Sequence, residues 1–460
     1  NNRDDEYGKD RLRFILELIE ACRQNAGPDF PIIVRMAIDE YFPGGLTLEQ
    51  GVENAKRLAD AGVSAIDCMG GVYESMHFIV PPVYLPKGVL VNLAEAVKKE
   101  VSIPVITQGR LYDPELAESV LRDGKADYIQ MARGLLADPH WVRKVEAGRT
   151  GEIRKCISCN RCFDRILKAQ TIRCAVNPTA GREGEFAEVP TKAPKPRKVV
   201  IVGAGPAGME AARVCAEKGH RVTLFEQTGQ LAGGQIALAA HAPGKDEFLN
   251  VVEYYKGQFK KHKNLKVVFK KKATAEDVAR AKPDVVLLAT GATPIVPEIE
   301  GIKGKNVVSI ADVMGGKKKV SGKVVIAGGG CAGIDCANFL SSQNLDVTVV
   351  EAMAACALDE ELITRLTLLY TLGRRSNLRM MTEHTIVRFS AEGVHARTPE
   401  GQDVVFPADY IVTALGFASH NPLEAAVARK VKQYVVIGDA KQPAKILEAV
   451  AGGFFAAQDV

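Results

Sequence analysis

The strongest constraint on the fold is a pattern that occurs twice. Lys198-Val-Val-Ile-Val-Gly203-Ala-Gly205-Pro-Ala-Gly208 is an apolar run that passes directly into a GxGxxG turn and then into helical spacing. Lys323-Val-Val-Ile-Ala-Gly328-Gly-Gly330-Cys-Ala-Gly333 repeats it 125 residues later (328 − 203). The first glycine of such a turn permits a sharp reversal, the second lets a pyrophosphate approach the backbone, and the third lets the helix pack closely on the strand. Helix amides then face the phosphates. Each turn is followed by a further strand ending in an acid, Arg221–Glu226 and Asp346–Glu351. Both acids stand eighteen residues beyond the last glycine (226 − 208 and 351 − 333), where a ribose hydroxyl would lie. A lone GxGxxG is a weak sign, but here strand, helix and acid accompany it in both copies. Two Rossmann-like dinucleotide folds are therefore expected.

Upstream, four of the ten cysteines fall within nineteen residues: Cys156-Ile-Ser-Cys159-Asn-Arg-Cys162, then Cys174-Ala-Val-Asn-Pro178. Thiolates at this spacing suit tetrahedral zinc or an iron–sulfur cluster. Structural zinc more often shows two separated C-x2-C pairs, whereas three close cysteines and a fourth shortly before a proline favour [4Fe–4S]. Unliganded thiols are the remaining reading. A disulfide framework is disfavoured, because nothing else in the chain looks secreted.

The first 150 residues alternate strands and helices. Apolar strands are expected at 31–36, 64–68, 104–107 and 127–131, with helical spacing at 10–23, 47–61, 91–100, 114–123 and 139–147. Parallel βα units of this kind build a TIM barrel, whose active site lies at the carboxyl ends of its strands. Four strands are half of the eight a barrel needs, so the segment reads as the second half of a barrel. A small open α/β layer is the alternative. Tyr73 follows the second strand at this end, and a phenol there can protonate a carbanion held within hydrogen-bond reach. A packing tyrosine is the plainer reading, and His77 nearby is a weaker candidate. A Pro-, Lys- and Ala-rich linker spans 186–198.

Composition excludes several classes. The 460 residues carry a net charge of only +5, and the densest basic run, Lys317–Lys319, reads as a solvated turn, so no nucleic-acid partner is expected. No apolar run reaches the length of a membrane helix and no signal peptide opens the chain, so neither a membrane partner nor secretion is expected, and the location reads as cytoplasmic. Nothing decides the oligomeric state, and a homo-oligomer stays open.

In combination these parts resemble a known family. Asn2-Arg-Asp-Asp-Glu-Tyr-Gly8, the Val34-Arg35-Met36 strand, Thr107-Gln-Gly109-Arg110 and Met131-Ala-Arg133-Gly134-Leu-Leu-Ala-Asp-Pro139 look like the old yellow enzyme barrel. Joined to the cysteine motif and two nucleotide folds, they resemble its multidomain branch: 2,4-dienoyl-CoA reductase, 2-enoate reductase, bile-acid enoyl oxidoreductases and trimethylamine dehydrogenase. The fold class so implied is α/β. A C-terminal half of a TIM barrel (1–150) is followed by an iron–sulfur segment and linker (151–190). Then come an FAD domain in two parts (195–315 and 416–460) and an inserted NAD(P) domain (316–415).

The likeness assigns residues to cofactors. Arg35 would face the FMN pyrimidine ring, while Gly109, Arg110, Arg133 and Gly134 would hold its phosphate. FAD would occupy the first nucleotide fold, on the strength of Gly233-Gly234-Gln235, Ala289-Thr-Gly291 and Val436-Ile-Gly438-Asp439-Ala440, with Asp439 at the ribityl chain. Cys156, Cys159, Cys162 and Cys174 would hold the cluster. The dienoyl-CoA reductases often place three residues between the second and third cysteines and a histidine near Tyr73, and this chain departs from both patterns. The implied activity is reduction of an activated alkene (enoate, enoyl-CoA or enone) by electrons passing from NADH through FAD, [4Fe–4S] and FMN. Amine oxidation of the trimethylamine dehydrogenase type, or electron supply to a partner protein, are the alternatives. NADH is expected over NADPH, because Glu351 precedes Ala352-Met-Ala-Ala355 and no adjacent cation could clamp a 2′-phosphate; only Arg374 or Arg375 could fold back.

Overall fold

The computed structural model describes residues 3–187 and 190–460, so Asn2 of the first motif and Glu188–Val189 of the linker lie outside the described residues. The chain divides into two compact units, Asn1–Leu135 and Leu136–Val460.

In the first unit four parallel strands, Ile33–Asp39, Ala65–Gly70, Val105–Thr107 and Tyr128–Ile129, hydrogen-bond in sequence order. The intervening helices Leu48–Asp60, Val91–Lys98 and Pro114–Arg122 begin where the side chains dictate. Thr47 and Gln50 form a reciprocal capping box, and Asp113 caps the third helix just ahead of Pro114. The helices bury Ala55, Leu58, Leu93 and Val97 with Ile38, Ile66 and Val105 of the strands. Crossover by helix is what parallel pairing requires. Each loop that follows a strand therefore emerges at one end of the sheet.

The second unit holds two five-stranded parallel sheets. In the first the order is Tyr434–Val436, Val285–Leu288, Lys198–Val202, Arg221–Phe225, Leu265–Val268; in the second it is Val307–Ser309, Tyr410–Thr413, Lys323–Ala327, Asp346–Val350, Leu378–Met381. The last strand of the first sheet thus returns from beyond the second, as a split domain with an insertion requires. Two boundaries differ from the sequence reading. Val307–Ser309 pairs with Ile411–Thr413 and so belongs to the inserted fold, not to 195–315. Residues 136–150 group with the second unit, because buried Asp138 accepts from the Arg154 N–H at 2.8 Å and from Lys144 Nζ at 2.6 Å. An antiparallel meander, Thr385–Phe389, Gly393–Arg397 and Asp403–Pro407, was not foreseen.

The helices Pro206–Glu217 and Ile446–Gln458 pack against each other at the heart of the first nucleotide fold. Their contact depends on Gly453, where a Cβ would lie 2.1 Å from the Ala207 carbonyl oxygen. Gly453→Val should therefore cost about 2–3 kcal/mol of stability by overpacking. A lowered denaturation midpoint together with reduced flavin content in the purified protein would show it.

Candidate active site

The two glycine turns have the same construction. Gly203 and Gly328 lie at φ of 105° and 103°, a region that side-chain-bearing residues rarely adopt. A Cβ on Gly208 would stand 1.9 Å from the Gly203 carbonyl oxygen, and one on Gly333 would stand 2.0 Å from that of Gly328. Helix and strand therefore touch backbone to backbone. Nothing lies within 4 Å of a Cβ built on Gly205, so the first turn leaves room for a phosphate at its helix N-terminus.

Both acids are fastened to their turns. Glu226 accepts from the Ala204 N–H at 2.9 Å and the Thr228 N–H at 2.7 Å, and Glu351 accepts from the Gly329 N–H at 2.6 Å and the Met353 N–H at 2.8 Å. Each carboxylate is thus fixed in orientation beside the turn and retains further lone pairs for ribose hydroxyls. Arg374 bonds the Tyr370 hydroxyl, and Arg375 bonds Ser341 Oγ at 2.6 Å and Asn338 Oδ1 at 2.9 Å. Neither arginine folds back on Glu351 in this structure.

A cavity of about 700 Å³ opens beside the first turn, large enough for a dinucleotide-sized ligand. Gly203, Gly205, Glu226, Gly234, Gln235, Gly291 and Asp439 all line it. Asp439 accepts from Gln235 Nε2 at 3.0 Å and from the Ala444 N–H at 3.2 Å. Burial pushes its carboxyl above the usual range, against the pull of these donors. Gly438, at φ 59°, sits where a Cβ would press on Ala207 at 2.7 Å.

The cysteine segment reaches the same cavity through Ile157, Cys159 and Arg161. Ser158 and Asn160 both take left-handed backbone, φ 46° and 54°, which curls the loop before the helix Arg161–Leu167. The curl brings Cys156, Cys159, Cys162 and Cys174 close enough for their charges to repel, and that repulsion adds to burial in raising the Cys159 thiol. Burial first, then the neighbouring Cys156 and Cys162, push Cys174 up to about 12. Backbone N–H groups already aim at the sulfurs: that of Arg161 at Cys159, those of Val176 and Asn177 at Cys174, and that of Ser158 at Cys156, 3.4 Å away. Thiols raised by burial at Cys159 and Cys174, with backbone N–H groups facing three of the four sulfurs, suit a site whose bound cation would favour the thiolates. Among the described residues no three His, Cys, Asp or Glu side chains close on a single metal ion.

In the first unit Arg35 donates from Nε to Asp67 Oδ2 at 2.7 Å across the sheet. Arg110 is buried, at φ 60°, and bonds the Val83 carbonyl at 3.0 Å; Arg133 bonds that of Pro81 at 2.9 Å. Gly109 and Gly134 pack tightly on Leu90 and Met131. These residues stand at the carboxyl ends of the third and fourth strands, where a barrel binds phosphate. Tyr73 begins a short helical turn after the second strand and is 83% exposed, with no hydrogen bond to its phenol among the described residues. His77 is half-buried against Phe78, and burial lowers its pKa.

Comparison with known proteins agrees with this division. Residues 1–152 match the NADH:flavin oxidoreductase / NADH oxidase family, and residues 197–443 match the pyridine nucleotide-disulphide oxidoreductases. The NADH oxidase of Thermoanaerobacter brockii is 39% identical across 99% of this chain and 71% of its own length. The chain belongs to the old yellow enzyme-like multidomain flavoproteins. The cinnamate reductase of Clostridium sporogenes is 34% identical across 100% of this chain and 71% of its own. A solved complex of 2-naphthoyl-CoA reductase superposes with a TM-score of 0.95 at 32% identity, covering 100% of this chain and 70% of that one. Membership makes the protein an NAD(P)H-dependent flavin oxidoreductase. No helix among the described residues is long and apolar enough to cross a membrane.

This member of the family also carries a charged cluster that the sequence reading missed. Lys245, only 2% exposed, pairs with Asp335 at 2.7 Å and approaches Glu360 at 3.8 Å. Cys331 donates to Glu360 Oε2 at 3.0 Å, and Lys245, Cys331, Asp335 and Glu360 all line the cavity. Burial raises the Asp335 carboxyl despite its partner, the mark of a pair held where water is scarce. The one visible signal was an acid inside the run Cys331–Leu340, in which Asn338 is the only other strongly polar side chain. Lys245→Met would leave Asp335 buried without its cation and should cost about 3–5 kcal/mol. The double variant Lys245→Met/Asp335→Leu should recover most of that loss in the same denaturation experiment.

Proposed function

We propose that the protein is an NADH-dependent ene reductase, acting on the C=C bond of an activated alkene such as an enoate, enoyl-CoA or enone. Residues 1–135 would be the FMN and substrate domain, 136–190 the cluster segment, 307–413 the NAD domain, and the two flanking parts the FAD domain. The observation that carries this reading is Cys159, which lines the cavity that also holds Gly205, Gln235 and Asp439. A flavin in that cavity and a cluster on that loop would be neighbours, with no side-chain layer to cross. When bound, the two flavins and the cluster supply hydride acceptance, one-electron relay and hydride delivery to the alkene.

The chain's own residues do the rest. The amides after Gly205 and Gly330 would face pyrophosphates, Glu226 and Glu351 would meet ribose hydroxyls, and Asp439 would meet the FAD ribityl chain. Gly109, Arg110, Arg133 and Gly134 would seat the FMN phosphate. Asp67 holds Arg35 by its Nε, and Arg35 would face the FMN pyrimidine ring. Tyr73, 83% exposed and with no hydrogen bond to its phenol among the described residues, would protonate the α-carbon of bound substrate. The intact Gly328 turn with Glu351 favours nicotinamide use over amine oxidation. Anaerobic NADH should bleach the flavins, and cinnamate or a related enoate should restore their colour; bleaching without reoxidation by any enoate, enoyl-CoA or enone would overturn the assignment.

The cluster reading makes a compositional prediction. Protein purified without oxygen should contain about four irons and four labile sulfides per chain, with broad visible absorption. Cys159→Ser should lose most of both. Stoichiometric zinc without sulfide would decide for the other metal.

Glu351 makes a selectivity prediction. A carboxylate bound to the turn meets a 2′-phosphate as like charge, and both nearby arginines are engaged elsewhere. Flavin reduction should favour NADH over NADPH by at least about tenfold in kcat/KM. Glu351→Ala with Ala352→Arg should narrow or reverse the ratio.

A further inference from the structure

The two helix N-termini of the nucleotide folds differ in one respect. In the first, the residue after Gly205 is Pro206, which has no N–H, and the space beside the turn is open. In the second, the residue after Gly330 is Cys331, whose N–H donates to Asp359 Oδ1 at 2.8 Å. That carboxylate stands 3.7 Å from a Cβ built on Gly330, where a diphosphate would approach the backbone.

Asp359 is held there from several sides. Lys445 Nζ donates to its other oxygen at 2.8 Å. The loop that carries it is fastened to the same turn, through the Ala357 N–H to the Gly329 carbonyl at 2.7 Å and the Met353 N–H to Glu351 at 2.8 Å. Burial disfavours the charge on Asp359, but Lys445 and the Cys331 amide more than offset it, so the carboxyl is held below its usual range. Its side chain is nevertheless 53% exposed. An anion so placed can swing into solvent without unpacking a core.

We propose that Asp359 is a resident anion in the diphosphate seat of the second fold, which the nicotinamide dinucleotide must displace in order to bind. This rests on the reading of the Gly328 fold as the NADH site. Two anions cannot share one helix N-terminus: the favourable interaction there falls to whichever is seated, and the other meets like charge. The bound dinucleotide gains only the difference between its own contacts and those of Asp359 with the Cys331 amide and Lys445. Affinity is thereby lowered and exit eased, as suits a cofactor that arrives reduced and must leave oxidised in every turnover. Specificity also follows, because only a ligand with a diphosphate at this spacing recovers what the displaced carboxylate loses.

The test is ADP-ribose binding to the FAD-containing holoenzyme by calorimetry, comparing the unmodified protein with Asp359→Ala and Asp359→Asn. The alanine variant should bind about three- to tenfold more tightly. The asparagine variant keeps an acceptor for the Cys331 amide but not the charge, and should fall between. The gain should shrink at high salt, where the like-charge term is screened. If alanine impairs folding, asparagine alone decides, since it preserves the hydrogen bond. Equal or weaker binding by the folded variants would overturn the proposal while leaving the NADH site in place. Absence of binding in all three proteins would overturn the site assignment and the proposal with it.

Discussion

The second unit depends on a close approach of backbone to backbone. The third glycine of each turn lets a helix rest directly on the carbonyl of the first, with no side chain between them. That contact fixes where the helix begins, and so where its unpaired amides point. It also sets the height of the following strand's end, which brings Glu226 and Glu351 back to the amides of their own turns. A methyl group at either third glycine would lift the helix off the sheet and dissolve all three relations together. The cavity at the first turn is a consequence of this geometry, and the long helix Ile446–Gln458 closes against it by the same device at Gly453.

Much of this was legible in the chain because its signals are local. Strand, glycine turn, helix and acid lie within about thirty residues in each copy, and periodicity placed the helices of the first unit near their observed positions. The cysteine motif also announces itself in nineteen residues. The charged cluster was not legible, for the converse reason. Lys245, Asp335 and Glu360 come from separate segments and meet only in the folded state, as do Asp359 and Lys445, 86 residues apart. The short strand Val307–Ser309 fell inside the expected 195–315 segment because three residues carry no periodic signal, and its membership is decided by pairing with Ile411–Thr413. Tyr73 was correctly placed after a strand, but its exposure depends on packing that the spacing of residues does not encode.

On the proposed cluster reading, burial prepares the cysteine loop for its ligand. Bare thiols in that position resist ionisation, as the raised Cys159 and Cys174 show. A cationic cluster would reverse the balance, because metal binding to deprotonated sulfur offsets both desolvation and mutual repulsion. The amides that already face the sulfurs need not move. The left-handed residues Ser158 and Asn160, costly in isolation, are then part of a loop whose shape is held in advance of the ligand.

The same logic distinguishes the two nucleotide folds. A flavin that stays for the life of the protein is served by an open seat, a proline that costs no amide, and a cavity completed by a returning helix. A nicotinamide dinucleotide exchanges in every cycle, and tight binding would slow its release more than it would help its capture. An exposed carboxylate on a fastened loop meets that need without altering the glycine turn, since it competes for the amide and leaves the backbone geometry intact. The two folds therefore share their architecture because both must bind a diphosphate at a helix N-terminus. On the proposed assignment, Pro206 and Cys331 suit a retained ligand in the first fold and a released one in the second.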